Sequence, residues 1–488
     1  MNPTELSAVM PLVSVSLFML LMLLFGLFSV EKRGSDALVL FLNLGACALG
    51  FAFSWQLFVM PEGVTAFGGT IFADAYTGVW NTILLAGTFL TFLLSHGQLR
   101  KQGIEHGIDT HALVLLTLLG GMVMVAAADL MVMFLGLELL SVSVYVLAGV
   151  SRSEKTSSEG ALKYLILGAF SSAFLLYGLA LVYGACGTLS IQELAALNSA
   201  PSPLLLSGIG LLVFGFGFKV SLVPFHFWTP DVYQGAPTSI TAFMATVVKA
   251  AAFGAFLRVM LVAFPELSAS WEGLLWLLAV LTMTIGNIIA LRQESVKRML
   301  AYSSIAHAGY ALMGFLVVGA SGGIESVMFY LFVYSLMTIV AFGVVLLATS
   351  GRADAQFGQD NYQSLSGLGW THPFLGLCMT IAMLSLGGLP PFAGFIGKFY
   401  VFSAAVKANF VGLAIIGALN SVVSLYYYLR VVVVMYFSER SVDWQPEPLG
   451  RFAAPRLALM LATAGVIYFG LFSGTYYEIA AIAASSVN

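Results

Sequence analysis

Charge is what this chain has least of. Only 9% of its 488 residues are Asp, Glu, Lys or Arg, while 60% are hydrophobic. A water-soluble domain carries about 25% charged residues, so a polar shell around a soluble core is excluded. The net charge of -3 offers no basic field for nucleic acid. Cysteine is scarce too. Cys47, Cys186 and Cys378 stand alone in or beside apolar segments, without metal-ligand spacing or a disulfide framework, and read as small buried hydrophobes. No Walker sequence, dinucleotide glycine fingerprint or iron–sulfur cysteine set occurs. Redox chemistry and nucleotide hydrolysis are therefore not expected on this chain alone, and any pumping draws its energy from a partner or an ion gradient. The N-terminus, MNPTEL, lacks the positive region of a secretory signal, because Glu31-Lys32-Arg33 follows the first apolar run. No hydrophilic stretch is long enough to fold by itself. The longest, about 438–455 with Trp444, Pro446 and Pro448, reads as a loop.

What the chain has is apolar runs of membrane-spanning length, about 20 residues each. Fourteen are expected, near 8–30, 37–59, 76–96, 111–127, 129–150, 160–185, 204–226, 239–264, 272–291, 299–319, 324–349, 372–402, 410–437 and 456–481. Only Ala128-Asp129 offers a turn between the fourth and fifth. The basic residues orient them. Lys32, Arg33, Arg100, Lys101, Arg152, Lys155, Arg292, Lys297, Arg298, Arg352, Arg440, Arg451 and Arg456, thirteen of the 20 lysines and arginines, fall in loops on one side, and only Lys407 falls in the opposite loops. That asymmetry makes the odd-to-even loops cytoplasmic and puts both termini on the far side, which is periplasmic in a bacterial inner membrane. The expected fold is an all-α polytopic membrane protein.

Five of the charged residues within these spans stand out, at a cost of roughly 2.5–3.5 kcal/mol each at a helix centre: Glu138, Lys163, Lys219, Lys249 and Lys398. Groups this costly face each other or water. Glu138, mid-span in MVMFLGLELLSVSVYVL, needs a cation nearby to stay charged, and Lys219 on the seventh span is the candidate. The pair reads as a gate on proton release or as a static brace between helices. Lys249, central in ITAFMATVVKAAAFGAF, cannot snorkel to either surface and reads as a relay group; Lys398 reads as the terminal donor. Lys163 sits near the start of the sixth span, close enough to the basic-loop surface to snorkel. His307, mid-span in SSIAHAGYALMG, suits proton transfer or packing through a hydrogen bond. His226 is an accessory candidate beside Pro224. Lysine suits a relay because an ammonium taken out of water gives up its proton more readily. The expected file runs Glu138, Lys219, Lys249, His307, Lys398, with water between them, because neighbouring helices lie about 10 Å apart and one hydrogen bond spans about 3 Å.

Two spans carry proline breaks beside a lysine. The seventh reads FGFGFKVSLVPFHFW, with Lys219 before Pro224, and the twelfth reads LSLGGLPPFAGFIGKFY, with Lys398 after Pro390 and Pro391. Proline kinks are common in membrane helices for packing reasons alone. Here the breaks are five spans apart, so the matched segments run in opposite directions, as in inverted repeats whose interrupted helices mark an ion site. The expected divisions are residues 1–110 (three helices), 111–264 (first repeat), 272–437 (second, inverted repeat) and 438–488 (loop and last helix).

The runs GFGFKVSLVPFHFWTPDVYQGAPTSITAFMATVVKAAAF, KRMLAYSSIAHAGY and GGLPPFAGFIGKFYVF resemble the proton-translocating antiporter-like membrane subunits of respiratory complex I. The resemblance covers nearly the whole chain and is densest from the fourth to the thirteenth span. It implies a proton path through Glu138, Lys219, Lys249 and Lys398, with Lys163 and His307 as accessories. It also implies partners: neighbouring antiporter-like subunits, quinone-binding subunits and a peripheral NADH dehydrogenase arm. NADH, FMN, iron–sulfur clusters and quinone would sit on those other subunits, with no cofactor on this chain, and the location would be a bacterial inner membrane. Two alternatives remain: a subunit of a related multisubunit cation/proton antiporter, and a structural membrane subunit whose buried charges only brace helices.

Overall fold

The computed structural model describes residues 3–28, 35–59, 63–101, 104, 107–197, 201–317, 322–350, 360–439 and 453–487. Lys32, Arg33, Arg352, Arg440, Arg451 and most of the loop at 438–455 lie outside the described residues. The main helices are α1 (Pro3–Phe28), α2 (Ser35–Val59), α3 (Ala75–Ser95), α4 (Gly107–Ala126), α5 (Leu130–Ala148), α6 (Lys155–Cys186), α7 (Pro203–Lys219), α8 (Trp228–Gly235), α9 (Thr238–Ala263), α10 (Pro265–Ala290), α11 (Val296–Leu312), α12 (Gly323–Ser350), α13 (Pro373–Gly387), α14 (Ala393–Lys407), α15 (Val411–Phe437), α16 (Ala453–Leu471) and α17 (Gly474–Ser485). The protein is an all-α polytopic membrane protein. Among the described residues, eleven helices are long and apolar enough to cross a membrane, or twelve if the bent pair Tyr362–Thr371 and Pro373–Gly387 forms one span.

That number is below fourteen because several expected spans are not single long helices. The seventh divides into α7, a non-helical link at 220–227, and α8, which lies beyond the expected end at 226. The twelfth, expected to run through 372–402, divides into α13 and α14 around a link at 388–392. The expected fourteenth span, 456–481, is two helices, α16 and α17, of which α16 is among the eleven, while α11, in the expected tenth span, is not. Cis peptide bonds occur at Val223-Pro224 and Pro390-Pro391.

Burial sorts the helices into a core and a periphery. In the most apolar stretches of α9 and α12 every residue is buried in the protein, whereas only about a third is buried in α1, α2, α6 and α16. The outer helices present Leu135, Val142, Ile166, Phe170 and Tyr177 outward, as lipid or a neighbouring apolar surface requires. Inner helices approach closely where glycine permits. A Cβ on Gly120 of α4 would lie 2.5 Å from the Leu140 nitrogen of α5, and one on Gly136 would lie 2.7 Å from the Met124 nitrogen.

One element departs from the helical expectation. Residues 64–73, read as part of a loop, form an antiparallel hairpin of β1 (Val64–Ala66) and β2 (Ile71–Ala73), pairing Val64 with Ala73. Its turn places Phe67, Gly68 and Gly69 at positive φ, which glycine adopts freely. Ile71 bridges to Ala127, and Asp129 bridges to Ser190, so the hairpin closes over the α4–α5 turn. Asp129 also caps α5, accepting a bond from the Met131 nitrogen at 2.7 Å.

Candidate functional site

Lys219, Lys249 and Lys398 are 3%, 2% and 3% exposed. Each ends its reach on a serine. Lys219 closes α7, where a cation complements the helix dipole, and its Nζ donates to Ser141 Oγ on α5 at 2.8 Å. The rings of Tyr145 and Tyr164 flank it at 5.5 and 5.4 Å, within cation–π range. Lys249 follows the π-helical turn Met244–Val248 within α9, a local widening that is frequent at functional sites. Its Nζ donates to the backbone oxygen of Ser304 on α11 at 2.9 Å and to the hydroxyl of the same residue at 2.5 Å. Lys398, on α14, reaches back across its helix break. It donates to Leu386 O at 2.9 Å and Gly387 O at 3.2 Å, the open C-terminus of α13, and to Ser421 Oγ on α15 at 2.8 Å. Gly388, at φ +82°, admits this side chain, because a Cβ there would lie 3.0 Å from Lys398 Cδ.

The expected Glu138–Lys219 ion pair is absent. Glu138 lies on α5 three residues before Ser141, and the serine takes the ammonium. Glu138 Oε1 is buried without a hydrogen-bond partner among the described residues. Lys163 does not snorkel freely either: its half-exposed side chain pairs with Glu159 at 2.7 Å and with Asp231 on α8 at 2.8 Å. His226, in the link between α7 and α8, is buried with Nδ1 unpartnered among the described residues.

His307 sits between two phenols, with Nε2 3.0 Å from the Tyr428 hydroxyl and Nδ1 2.6 Å from the Tyr330 hydroxyl. Tyr428 also bonds Ser303. Ser303, His307 and Tyr310 recur at i, i+4 and i+7 and so share a face of α11, with Ser304 beside them. Tyr310 lies 5.0 Å from Lys398 Nζ. A single helix therefore touches Lys249 through Ser304 and reaches the surroundings of Lys398 through Tyr310.

Sequence reading overlooked several of these groups. Ser141, Ser304 and Ser421 are not unusual in apolar helices, and only their distance to lysine marks them. Asp74 and Arg258 were more legible: an arginine inside the eighth span demanded a partner. Arg258 is 2% and Asp74 5% exposed, and Arg258 Nη1 lies 2.9 Å from Asp74 Oδ2. Arg258 Nη2 donates to Asp74 Oδ1 at 3.0 Å and Thr77 Oγ1 at 3.1 Å.

Residues 127–424 match the family described as NADH:quinone oxidoreductase/Mrp antiporter, TM, a range enclosing every candidate lysine, histidine and glutamate. The NADH-quinone oxidoreductase subunit N of Trichlorobacter lovleyi is 45% identical over 473 residues, covering 96% of this chain and 94% of that protein. This chain belongs to the subunit N family. Subunit N 1 of Thermodesulfovibrio yellowstonii is 40% identical over 470 residues, covering 96% of this chain and 97% of its own. Among solved structures, a chain of respiratory complex I from Thermus thermophilus with bound aureothin is 35% identical with a TM-score of 0.80, covering 97% of this chain and 100% of that one. A chain of the Mrp complex from Dietzia superposes with a TM-score of 0.86 at 19% identity, which speaks for fold alone. Like its relatives, this subunit N family member is an antiporter-like membrane subunit of a multisubunit NADH-quinone oxidoreductase.

Proposed function

We propose that this chain carries a proton path through Glu138, Lys219, Lys249 and Lys398, assisted by Lys163, His226 and His307, and that quinone reduction elsewhere in the complex drives it. The supporting observation is that three buried lysines hydrogen-bond neutral partners only. Among the described residues none of the three forms an ion pair, and each bonds a serine hydroxyl. A hydroxyl both donates and accepts. It can take a bond from the ammonium and, after rotating away from its present acceptor (Leu137 O for Ser141, Gly387 O for Ser421), give one to the neutral amine, so the contact survives loss of the proton. A structural brace is built differently, as Arg258 and Asp74 show: the arginine stays charged and meets a carboxylate.

In this reading His307, Tyr330 and Tyr428 carry the proton between the Lys249 and Lys398 stations, with water filling what side chains leave. Glu138, one turn from Ser141 on α5, adjusts Lys219. The chain makes fourteen crossings, with three leading helices in 1–110, inverted five-helix units at 111–264 and 272–437, and a closing loop and helix at 438–488. It sits in the bacterial inner membrane with both termini periplasmic. Its partners are neighbouring antiporter-like subunits, quinone-binding subunits and the NADH dehydrogenase arm, where NADH, FMN, iron–sulfur clusters and quinone do the redox chemistry.

Lys219→Ala tests this in inside-out membrane vesicles containing the whole complex. With assembly intact, NADH-driven proton uptake and quinone reduction should both fall at least about tenfold, because blocking a coupled step slows its partner. Wild-type rates of both in an assembled complex would refute the path.

A further inference from the structure

We infer that Asp231 and Arg298 are positioning residues that couple the broken helix carrying Lys219 to α11, the helix whose Ser304 receives Lys249. This inference rests on the proton path proposed above and adds the device that keeps two of its stations in register.

The half-helix α8 has only eight residues, too few to fix its own place. Its position comes from its neighbours, and the two sides of α8 are built differently. Toward α6 the packing is close and largely uncharged. Trp228 stacks on Tyr164 with ring centres 4.2 Å apart. A Cβ on Gly235 would lie 2.4 Å from Thr156 O, and one on Gly160 would lie 3.2 Å from Asp231 O. Interlocked surfaces of this kind move together.

Toward α11 the contact is polar. Arg298 Nη1 donates to Asp231 Oδ1 at 2.7 Å and to Gln234 Oε1 at 3.2 Å. Lys297 Nζ donates to Gln234 O at 2.9 Å and Ala236 O at 2.8 Å, binding carbonyls at the end of α8. The other oxygen of Asp231 takes Lys163 of α6 at 2.8 Å. One carboxylate thus joins α6 and α11 through the half-helix between them.

The two ends of this linkage meet the lysines. At the start of α8, the Trp228 indole nitrogen donates to Phe218 O at 3.0 Å, the residue before Lys219, and Tyr164 both stacks on Trp228 and flanks the Lys219 ammonium. On α11, Ser304 lies six residues beyond Arg298 and receives Lys249. A shift of α6 and α8 when Lys219 changes its proton or its serine therefore strains the Asp231–Arg298 contact first. Through that contact the shift moves the helix bearing Ser303, Ser304 and His307. Asp231 and Arg298 transfer no proton themselves; they set distances between groups that do.

The test uses the whole complex in inside-out vesicles and four variants: Asp231→Asn, Arg298→Gln, the double variant, and Arg298→Lys. With normal assembly, each neutral single variant should lower NADH-driven proton uptake about three- to tenfold. The double variant should be no slower than the slower single one, because both substitutions remove the same contact, and Arg298→Lys should retain at least half the wild-type rate. Wild-type uptake in the assembled neutral variants, losses that multiply in the double variant, or losses explained wholly by reduced assembly would overturn the inference. Lys219→Ala measured in the same membranes separates the failures. If it blocks uptake while Asp231→Asn does not, only the coupling device is wrong. If it too pumps normally, the underlying path is wrong.

Discussion

Ser141, Ser304 and Ser421 give the buried lysines their character. A lysine tied to a carboxylate in an apolar interior is held charged, and breaking such a buried pair costs about 3–5 kcal/mol. A lysine tied to a hydroxyl has a bond in either protonation state. If this matters for Lys219, then Ser141→Ala, in a complex that assembles normally, should lower proton uptake several-fold, while Ser141→Thr, which keeps the hydroxyl, should stay within about twofold of wild type. Uptake measured on inside-out vesicles with matched amounts of complex decides it, and equal rates for Ala and Thr would contradict the role given to the hydroxyl. At this scale the sequence was partly legible. A lysine in an apolar span announces itself by its cost, so Lys219, Lys249 and Lys398 stood out. Their partners did not, because a serine in a membrane helix costs little and usually bonds its own backbone, as Ser141 itself does to Leu137 O at 2.5 Å. The same limit explains why Ser141 was overlooked beside Lys219. Glu138 and Ser141 lie one turn apart on α5, and charge alone favours the glutamate.

Among the elements, α9 and α11 do the most. α9 is buried along nearly its whole length and carries Lys249 at one π-helical turn and Arg258 immediately before another, Val259–Ala263. Arg258 fixes the hairpin end of the molecule. Its guanidinium bonds Asp74 and lies over the rings of Phe72 and Tyr76 at 4.6 and 4.4 Å, while the Tyr76 hydroxyl donates to Gly254 O at 2.6 Å. This clasp stabilises the fold and is kept separate from the lysine path. Asp74→Ala would strand a buried guanidinium and should destabilise the subunit by about 3–5 kcal/mol, seen as a marked drop in assembled complex, whereas Asp74→Leu combined with Arg258→Met should recover much of it. Full assembly of Asp74→Ala would show that the pair is dispensable. The hairpin itself was missed because three-residue strands between long helices leave little signal. The only cue is Gly68-Gly69 flanked by VTAF and TIFA, a turn between short β-prone runs. Proline and glycine did mark where the seventh and twelfth spans break. Hydropathy could not show that helix resumes at Trp228, because α8 holds Asp231, Gln234 and Pro230.

In the whole molecule, the apolar exterior and the polar interior answer different demands. The peripheral helices turn leucine, valine and phenylalanine outward to lipid or partner subunits, and the interior holds ionisable and hydroxyl groups on several helices, among them Glu138 on α5 and Lys398 on α14, proposed here to form a row. The fold class was legible because composition alone decides it. Continuity of the path was not, since it depends on which groups face each other across helices distant in sequence. The central claim is that this interior row conducts protons. It is tested most directly by a structure of the intact complex in a lipid bilayer at a resolution that shows ordered water. The account predicts hydrogen-bonded water joining the Lys219–Ser141 station to Lys249–Ser304, and the His307–Tyr428 group to Lys398–Ser421. A dry, apolar gap between any two of these stations, in every state captured during turnover, would contradict it.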